Sequence, residues 1–313
     1  MINIFMELAK NEWNLFLLFF ISICALIIIS EFVLKKICSN NTNRQIVHIT
    51  VGIAVSFTPY FFTHNHQPVL LAFIFLIINF FSHRNNFLKS YHSIARESYG
   101  TIYFPISYLV LALLFWDYSH HITISFFILA IADPFASIIG EIVKSKISFN
   151  ILGDNKTLQG SIAMFICSLI IILTLSNQFF NHWEITYKLM AAIIISFAVT
   201  IAEALSYKGS DNLSIPITAF LFIELLHHLN RNQIVFQYII YILIIILILY
   251  GTYLRNYLSI SGFIGATIMA IFLLGFGGNG YLYPLIVFFI TSSVLSFVRE
   301  KNINKKNSDR NIT

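Results

Sequence analysis

His121-Ile-Thr-Ile-Ser-Phe-Phe-Ile-Leu-Ala-Ile-Ala-Asp133-Pro-Phe-Ala136-Ser137-Ile-Ile-Gly140 is an apolar run with an acid set inside it. An ionisable side chain at membrane depth costs about 2.5–3.5 kcal/mol on insertion scales, so it marks a functional position by default. Downstream come Lys144, Lys146 and then Lys156-Thr157-Leu-Gln159-Gly160-Ser161, a lysine-bearing loop that leads into another apolar segment. A helix over 133–144 puts Asp133, Ser137, Gly140 and Lys144 (i, i+4, i+7, i+11) on one face over roughly three turns. That face offers a metal-binding carboxylate, room for close approach and a cation. The combination suits a polyphosphate held by a divalent ion at the edge of a membrane.

The surrounding chain has the composition of a membrane protein. Of its 313 residues 58% are hydrophobic and 11% charged, and the mean hydropathy is +0.79, which excludes an ordinary soluble globular chain. Apolar runs fall at 14–33, 46–63, 67–82, 102–117, 121–140, 158–176, 188–206, 212–227, 235–254, 259–276 and 281–298. They predict an all-α, polytopic integral membrane protein with about eleven transmembrane helices. With the N-terminus outside and the C-terminus cytoplasmic, 16 of the 19 Lys and Arg residues lie on the cytoplasmic side. Lys10, Lys188 and Arg231 remain outside, the split that the positive-inside rule expects. The net charge of +5 therefore reads as topology and anionic-lipid contact and not as a nucleic-acid footprint. Cys24, Cys38 and Cys167 show neither metal-type pairing nor a disulfide framework. The first apolar segment lacks a small-residue cleavage site and reads as an uncleaved span. With no soluble domain of useful size, any chemistry has to be built from helix ends and short loops.

The predicted topology gathers the polar clusters. Arg44-Gln-Ile-Val-His48, Arg96-Glu97-Ser-Tyr-Gly100, the stretch from Lys144 to Gly160, Glu203 and Lys208-Gly-Ser-Asp211-Asn212 all fall at the cytoplasmic side, where nucleoside triphosphates reside. Arg44 and His48 stand at i, i+4 and reach toward one anion. Each cluster also has a plainer reading. Asp133 serves equally as a structural acid bonded to a neighbouring helix, and Lys144, Lys146, Lys156 and Arg44 as topogenic charges. Glu203 near the end of its span serves as a snorkelling acid, and Asp211-Asn212 before Pro216 as turn and helix-start chemistry.

Two motifs fail on context. Gly153-Asp-Asn-Lys156-Thr157 lacks the glycine of a phosphate loop, which is Asn155 here, and no strand is expected before it. Gly275-Phe-Gly277-Gly278-Asn-Gly280 matches a dinucleotide fingerprint by letter, but follows a membrane segment and reads as a tight turn between two spans.

Taken in order, these elements resemble the CTP-dependent lipid kinases of the dolichol kinase, phytol kinase and yeast-type diacylglycerol kinase group. The resemblance runs from about Arg44 to about Phe220. Its centre is Asp133-Pro-Phe-Ala136-Ser-Ile-Ile-Gly140 followed by Lys156-Thr157-Leu-Gln159-Gly160-Ser161. It is flanked by Arg44 and His48, by Gly100-Thr-Ile-Tyr103-Phe-Pro105, and by Glu203 with Lys208-Gly-Ser-Asp211-Asn212-Leu-Ser-Ile-Pro216. Lys144 stands where the dolichol kinase version has a second glycine, and Gln159 where the family has an acid, which leaves nucleotide preference open. Farther on, Leu258-Ser-Ile-Ser-Gly262-Phe-Ile-Gly265-Ala266, Gly275-Phe-Gly277-Gly278 and Phe288-Phe289-Ile-Thr-Ser292-Ser293 resemble the opening of the phytyl-phosphate kinase family. The expected division is a kinase-like membrane domain over 1–233, a C-terminal membrane module over 234–298 and a basic cytoplasmic tail over 299–313.

The resemblance implies transfer of the terminal phosphate of a nucleoside triphosphate, CTP favoured, to the hydroxyl of an isoprenoid alcohol or diacylglycerol. Asp133 is the implied Mg²⁺ ligand. Lys156, with Lys144 and Lys146, neutralises phosphoryl charge, and Glu203 or Asp211 takes the hydroxyl proton or holds a second metal. Arg44, His48, Ala136, Ser137, Gly140, Thr157, Gly160 and Asn212 complete the nucleotide site. The partners expected are the bilayer, the lipid alcohol and the nucleotide, with no nucleic acid. In a bacterial cell the location would be the inner membrane, with the site facing the cytoplasm. Two rivals stand beside this reading: a phosphatidate-type cytidylyltransferase, and a non-catalytic transporter or scaffold.

Overall fold

The computed structural model describes residues 11–85, 98–143, 147–151, 154–231, 235–254 and 260–278, with isolated positions between 280 and 291. Lys144, Lys146, Arg96, Glu97, most of the eleventh apolar run and the basic tail lie outside the described residues. The helices are α1 (Glu12–Ile37), α2 (Asn40–Ser56), α3 (Thr58–Phe61), α4 (His66–Asn85), α5 (Gly100–Leu114) and α6 (Ser119–Ile142). After a hairpin of β1 (Ser148–Ile151) and β2 (Asp154–Thr157) come α7 (Leu158–Phe179), α8 (Ile185–Ala204), α9 (Asp211–Arg231), α10 (Val235–Leu254) and α11 (Ile260–Gly277). The chain is an all-α membrane protein in which six of these helices are long and apolar enough to span a bilayer. Helices α5, α10 and α11 also contain apolar segments, of shorter length.

The membrane reading is written on the helix faces. On α7, Ile162, Ile166 and Ile170 form an exposed stripe at i, i+4, i+8, while Gly160, Met164 and Ser168 on the other side are buried. On α8, Leu189, Ile193, Phe197 and Ile201 are exposed, whereas Ala192, Ser196, Val199 and Glu203 are buried. Small and polar residues inside with branched apolar residues outside is the arrangement lipid favours, since tails solvate the outer stripe and small side chains let backbones approach.

Two compact units are present, residues 1–223 and 224–313, and the cut falls within α9. In the first, α6 packs against both α2 and α7, and α7 against α8. The α2–α6 seam is antiparallel. Asn41 Nδ2 donates to both oxygens of Glu141 at 2.7 and 2.8 Å, Gln45 Nε2 donates to Ser137 Oγ at 3.3 Å, and His48 Nε2 donates to the Leu129 carbonyl at 3.0 Å. Gly52 closes the seam, because a Cβ there would lie 2.6 Å from Ala130 Cβ. A π-helical turn at Ser30–Leu34 docks α1 on α2. There Ser30 Oγ donates to Asn43 Oδ1 at 3.0 Å, and Asn43 Nδ2 donates to the Ser30 carbonyl at 3.1 Å. In the second unit Tyr238 Oη donates to the Ile271 carbonyl at 2.8 Å, tying α10 to α11.

The hairpin departs from the sequence expectation. Lys156 and Thr157 lie on a strand, with Ser148 opposite Thr157 and Ile151 opposite Asp154, and not in an irregular loop. Four-residue strands bury too little for their alternation to be read from sequence. The glycine-rich segment Gly275–Gly280 does turn: α11 ends at Gly277, and Gly278 at φ +63° gives its N–H to the Leu274 carbonyl at 2.9 Å, an αL helix cap.

Gly52→Leu is expected to force α2 off α6, at about 1–3 kcal/mol of overpacking, seen as a lower melting temperature in detergent. Gly251→Ala, with nothing within 4 Å of the added carbon, is expected to leave it unlowered or slightly raised, since alanine is the better helix former.

Candidate active site

Three helix N-termini, α5 at Gly100, α7 at Leu158 and α9 at Asp211, contribute residues to a cavity of about 450 Å³ at one end of the first unit. Each terminus carries the partial positive charge of a helix dipole, which favours an anion, while Gly100 N, Gly160 N and Asn212 N donate to the side chains of Ser98, Thr157 and Asp211. The middle of α6 supplies Asp133, and the start of α2 supplies Arg44 and His48. Every site residue expected from sequence that lies among the described residues lines this cavity: Arg44, His48, Asp133, Ala136, Ser137, Gly140, Lys156, Thr157, Gly160, Glu203, Asp211 and Asn212.

Their roles divide in ways the sequence did not anticipate. Ser137 turns to α2, accepting from Gln45, whereas Gly140 meets α7, where a Cβ would lie 2.7 Å from Thr157 Oγ1. Asp133, Ser137 and Gly140 keep their common face toward the cavity, and its two edges meet different neighbours, because α6 is buried on both flanks. Gly160 also lies against α6, a Cβ there falling 3.0 Å from the Ala136 carbonyl. Thr157 caps α7, its hydroxyl accepting from Gly160 N at 3.1 Å.

Lys156 is held by acids. Its Nζ lies 2.5 Å from Glu203 Oε1, 3.0 Å from Ser206 Oγ and 3.9 Å from Asp211 Oδ2. Strand alternation puts Asp154 and Lys156 on the same side of β2. Asp154, buried, accepts from Lys208 N at 2.9 Å, and Tyr99 N donates to the Lys208 carbonyl at 2.9 Å. Lys208 adopts φ +48° and Gly209 φ +86°, the left-handed region that a non-glycine residue enters at a cost. A Cβ on Gly209 would lie 2.5 Å from Gly100 N, so glycine is required where this turn meets the start of α5. Gln159 accepts from Ile147 N at 3.3 Å and so helps fix the approach to the hairpin.

Asp133 is the least committed acid. Its Oδ2 is 3.9 Å from His48 Nε2, and its side chain is 21% exposed. The His48 nitrogen faces the Leu129 carbonyl and carries the proton, which leaves Nδ1 as the acceptor in the neutral ring. Five carboxylates (Asp133, Glu141, Asp154, Glu203, Asp211) and two cations (Arg44, Lys156) line the cavity. Among the described residues no group of three or more His, Cys, Asp or Glu forms a ready-made metal site. Mg²⁺ ordinarily takes about one or two carboxylates and completes its shell from substrate phosphates and water, so the acid-rich cavity fits a metal that arrives with a polyphosphate.

Comparison with known proteins follows the same lines. A family described as "Integral membrane protein DUF92" matches residues 243–312. A probable phytol kinase 1, chloroplastic, of Oryza sativa subsp. japonica is 25% identical over 208 residues, covering 60% of this chain and 65% of the rice protein. The phytol kinase of Synechocystis is 25% identical over 176 residues, 56% of this chain and 74% of its own length. Phytol kinase 1, chloroplastic, of Arabidopsis thaliana is 27% identical over 209 residues, 60% and 67% of the two chains. The chain is similar to these phytol kinases over 56–60% of its length. It spans just under two thirds of the rice relative, at 65% of that length. No solved structure matches it. Sequence reasoning missed Asp154, Gln45, Glu141 and Thr101, all lining residues; the α2 spacing 41/45/48/52 was the signal available for one of them, Gln45.

Lys156→Met and Glu203→Gln are each expected to destabilise the fold, since removing one partner of a buried pair costs about 3–5 kcal/mol. The double variant is expected to melt above either single one, a coupling read from thermal unfolding in detergent.

Proposed function

We propose that the protein is a membrane lipid kinase that transfers the terminal phosphate of a nucleoside triphosphate, CTP favoured, to the hydroxyl of an isoprenoid alcohol of the phytol class. The observation that carries this reading is the acid-rich cavity assembled from three helix N-termini around Asp133, in a chain similar to phytol kinases. The N-termini and Arg44 receive the phosphates. Asp133 would hold Mg²⁺ brought in with the nucleotide, and the ion would supply charge neutralisation to the phosphates. The alcohol oxygen forms a bond to the γ-phosphorus while the bond to the β,γ-bridging oxygen breaks, and the electron pair leaves with the nucleoside diphosphate. Glu203 is occupied by Lys156 at 2.5 Å, which leaves Asp211 of the two candidate acids to accept the hydroxyl proton. Lys156 then acts as the counterion that holds this pair of acids together, with its charge available to the departing diphosphate. In the finer topology of this proposal the chain makes eleven spans, starts outside and faces the cytoplasm with its site. The residues 1–233 carry the chemistry, and 234–298 form an accessory module.

Membranes containing the protein, given γ-labelled CTP, UTP or ATP with a panel of prenols and diacylglycerol, test the reading. Label is expected in the prenol fraction with release of CDP, and a fall of about 10²–10³-fold in Asp133→Asn, the scale for loss of one transition-state stabilising group. In a parallel reaction with α-labelled CTP, transfer of the label to lipid with pyrophosphate release would indicate a cytidylyltransferase instead. Solute uptake sensitive to Asp133→Asn, with no transfer to any lipid, would indicate a transporter.

A further inference from the structure

A second, apolar space adjoins the polar cavity. It measures about 60 Å³ and lies between α1, α2, α4 and α5, with Ile27, Val55, Leu71, Ala72 and Phe75 on its walls. Val51, Thr101 and Phe104 line both spaces, so the two share a wall made of these residues. Phe104 also packs edge-on against His48, with ring centroids 5.7 Å apart, which places the shared wall beside the histidine that neighbours Asp133.

The lining suits a hydrocarbon. It contains no acid and no amine. Its polar groups serve each other: Thr58 Oγ1 and Tyr108 Oη are 2.5 Å apart, and Asn79 Nδ2 donates to the Thr101 carbonyl at 2.8 Å. That carbonyl has no helical donor because the residue four positions on is Pro105. The exception is Thr101 Oγ1, which is buried without a hydrogen-bond partner. An unsatisfied buried hydroxyl is costly, and this one stands in the wall shared by the polar and apolar spaces. What it lacks is a second hydroxyl.

We propose that this cleft receives the acceptor lipid, with the alcohol hydroxyl bonded to Thr101 Oγ1 and the first carbons of an isoprenoid chain between α2 and α4. The rest of the chain runs out over the lipid-facing side chains of α1 and α4, such as Ile28 and Phe73, which are exposed. This rests on the kinase reading and adds the acceptor's binding mode to it. A space of about two water volumes takes one narrow chain near its hydroxyl. The site therefore selects a single-chain primary alcohol over diacylglycerol, whose two ester-linked chains branch beside the hydroxyl, and is indifferent to length beyond the first carbons.

The test uses the full-length protein in proteoliposomes and a phytol analogue bearing a diazirine near its hydroxyl. Photolabelling is expected on peptides containing Leu71–Phe75 and Thr101–Tyr108, and to be displaced by unlabelled phytol. Ala72→Phe, which fills the cleft without touching the polar cavity, is expected to raise the KM for phytol by about 10-fold or more, as loss of a small apolar subsite does, while nucleotide KM stays put. Thr101→Val is expected to lose prenol transfer, and Thr101→Ser to restore it. Labelling confined to other helices, or diacylglycerol phosphorylated as efficiently as phytol, would overturn the cleft assignment. Labelling is read without turnover, so cleft labelling with no transfer from any nucleotide would sink the kinase reading and leave the lipid site standing.

Discussion

The Lys156 ammonium is the contact on which the site depends. It sits among Glu203, Ser206 and Asp211, acids brought to one place by the end of α8 and the start of α9. Remove the cation and two carboxylates face each other in a poorly hydrated pocket, where like charges repel strongly. With it in place, the hairpin is pinned to the α8–α9 corner. Thr157, the next residue, then starts α7 against Gly140 of α6. One ion cluster therefore sets the register of three elements. Asp154 reinforces it from two residues upstream by holding the strained Lys208–Gly209 turn.

Proline supplies the second constraint. Pro105, Pro134 and Pro216 each lie inside a helix that reaches the cavity, and each deprives the carbonyl four residues earlier of its helical donor. Side chains from other elements answer two of these gaps: Asn79 donates to the Thr101 carbonyl, and Ser107 donates to the Asn212 carbonyl at 2.8 Å. Beside the third, His48 donates to the Leu129 carbonyl. The freed backbone thus becomes interhelical adhesive, which matters in a medium with no water to satisfy it. The polar end of the bundle contrasts with the other end. There Tyr60, His120 and Phe179 stack, and Phe180 stacks on Trp183 at 4.5 Å, an aromatic girdle of the kind found at membrane interfaces.

Much of this was written in the chain and some was not. Apolar runs located the helices because length and hydropathy are local properties; the run at 121–140 corresponds to α6 and that at 158–176 to α7. Alternation of spans gathered Arg44, Asp133, Lys156, Glu203 and Asp211 at one end, and the structure places them around one cavity. Non-local pairing was not legible. Nothing near Lys156 in sequence announces Glu203, 47 residues away, and the hairpin that joins them is too short to leave a periodic trace. That Ser137 meets α2 while Gly140 meets the start of α7 follows from burial of α6 on two flanks, which a single-helix projection cannot contain. Thr101 drew no notice because its significance lies in a missing partner.

Equilibrium binding of a CTP analogue whose β,γ-bridging oxygen is replaced by carbon tests the central claim without requiring turnover. Purified wild-type protein is predicted to bind it in a Mg²⁺-dependent manner, and Asp133→Asn to lose that dependence together with most of the affinity. Equal affinity in the two proteins, or binding by wild type that ignores Mg²⁺, would show that the cavity around Asp133 does not hold the nucleotide.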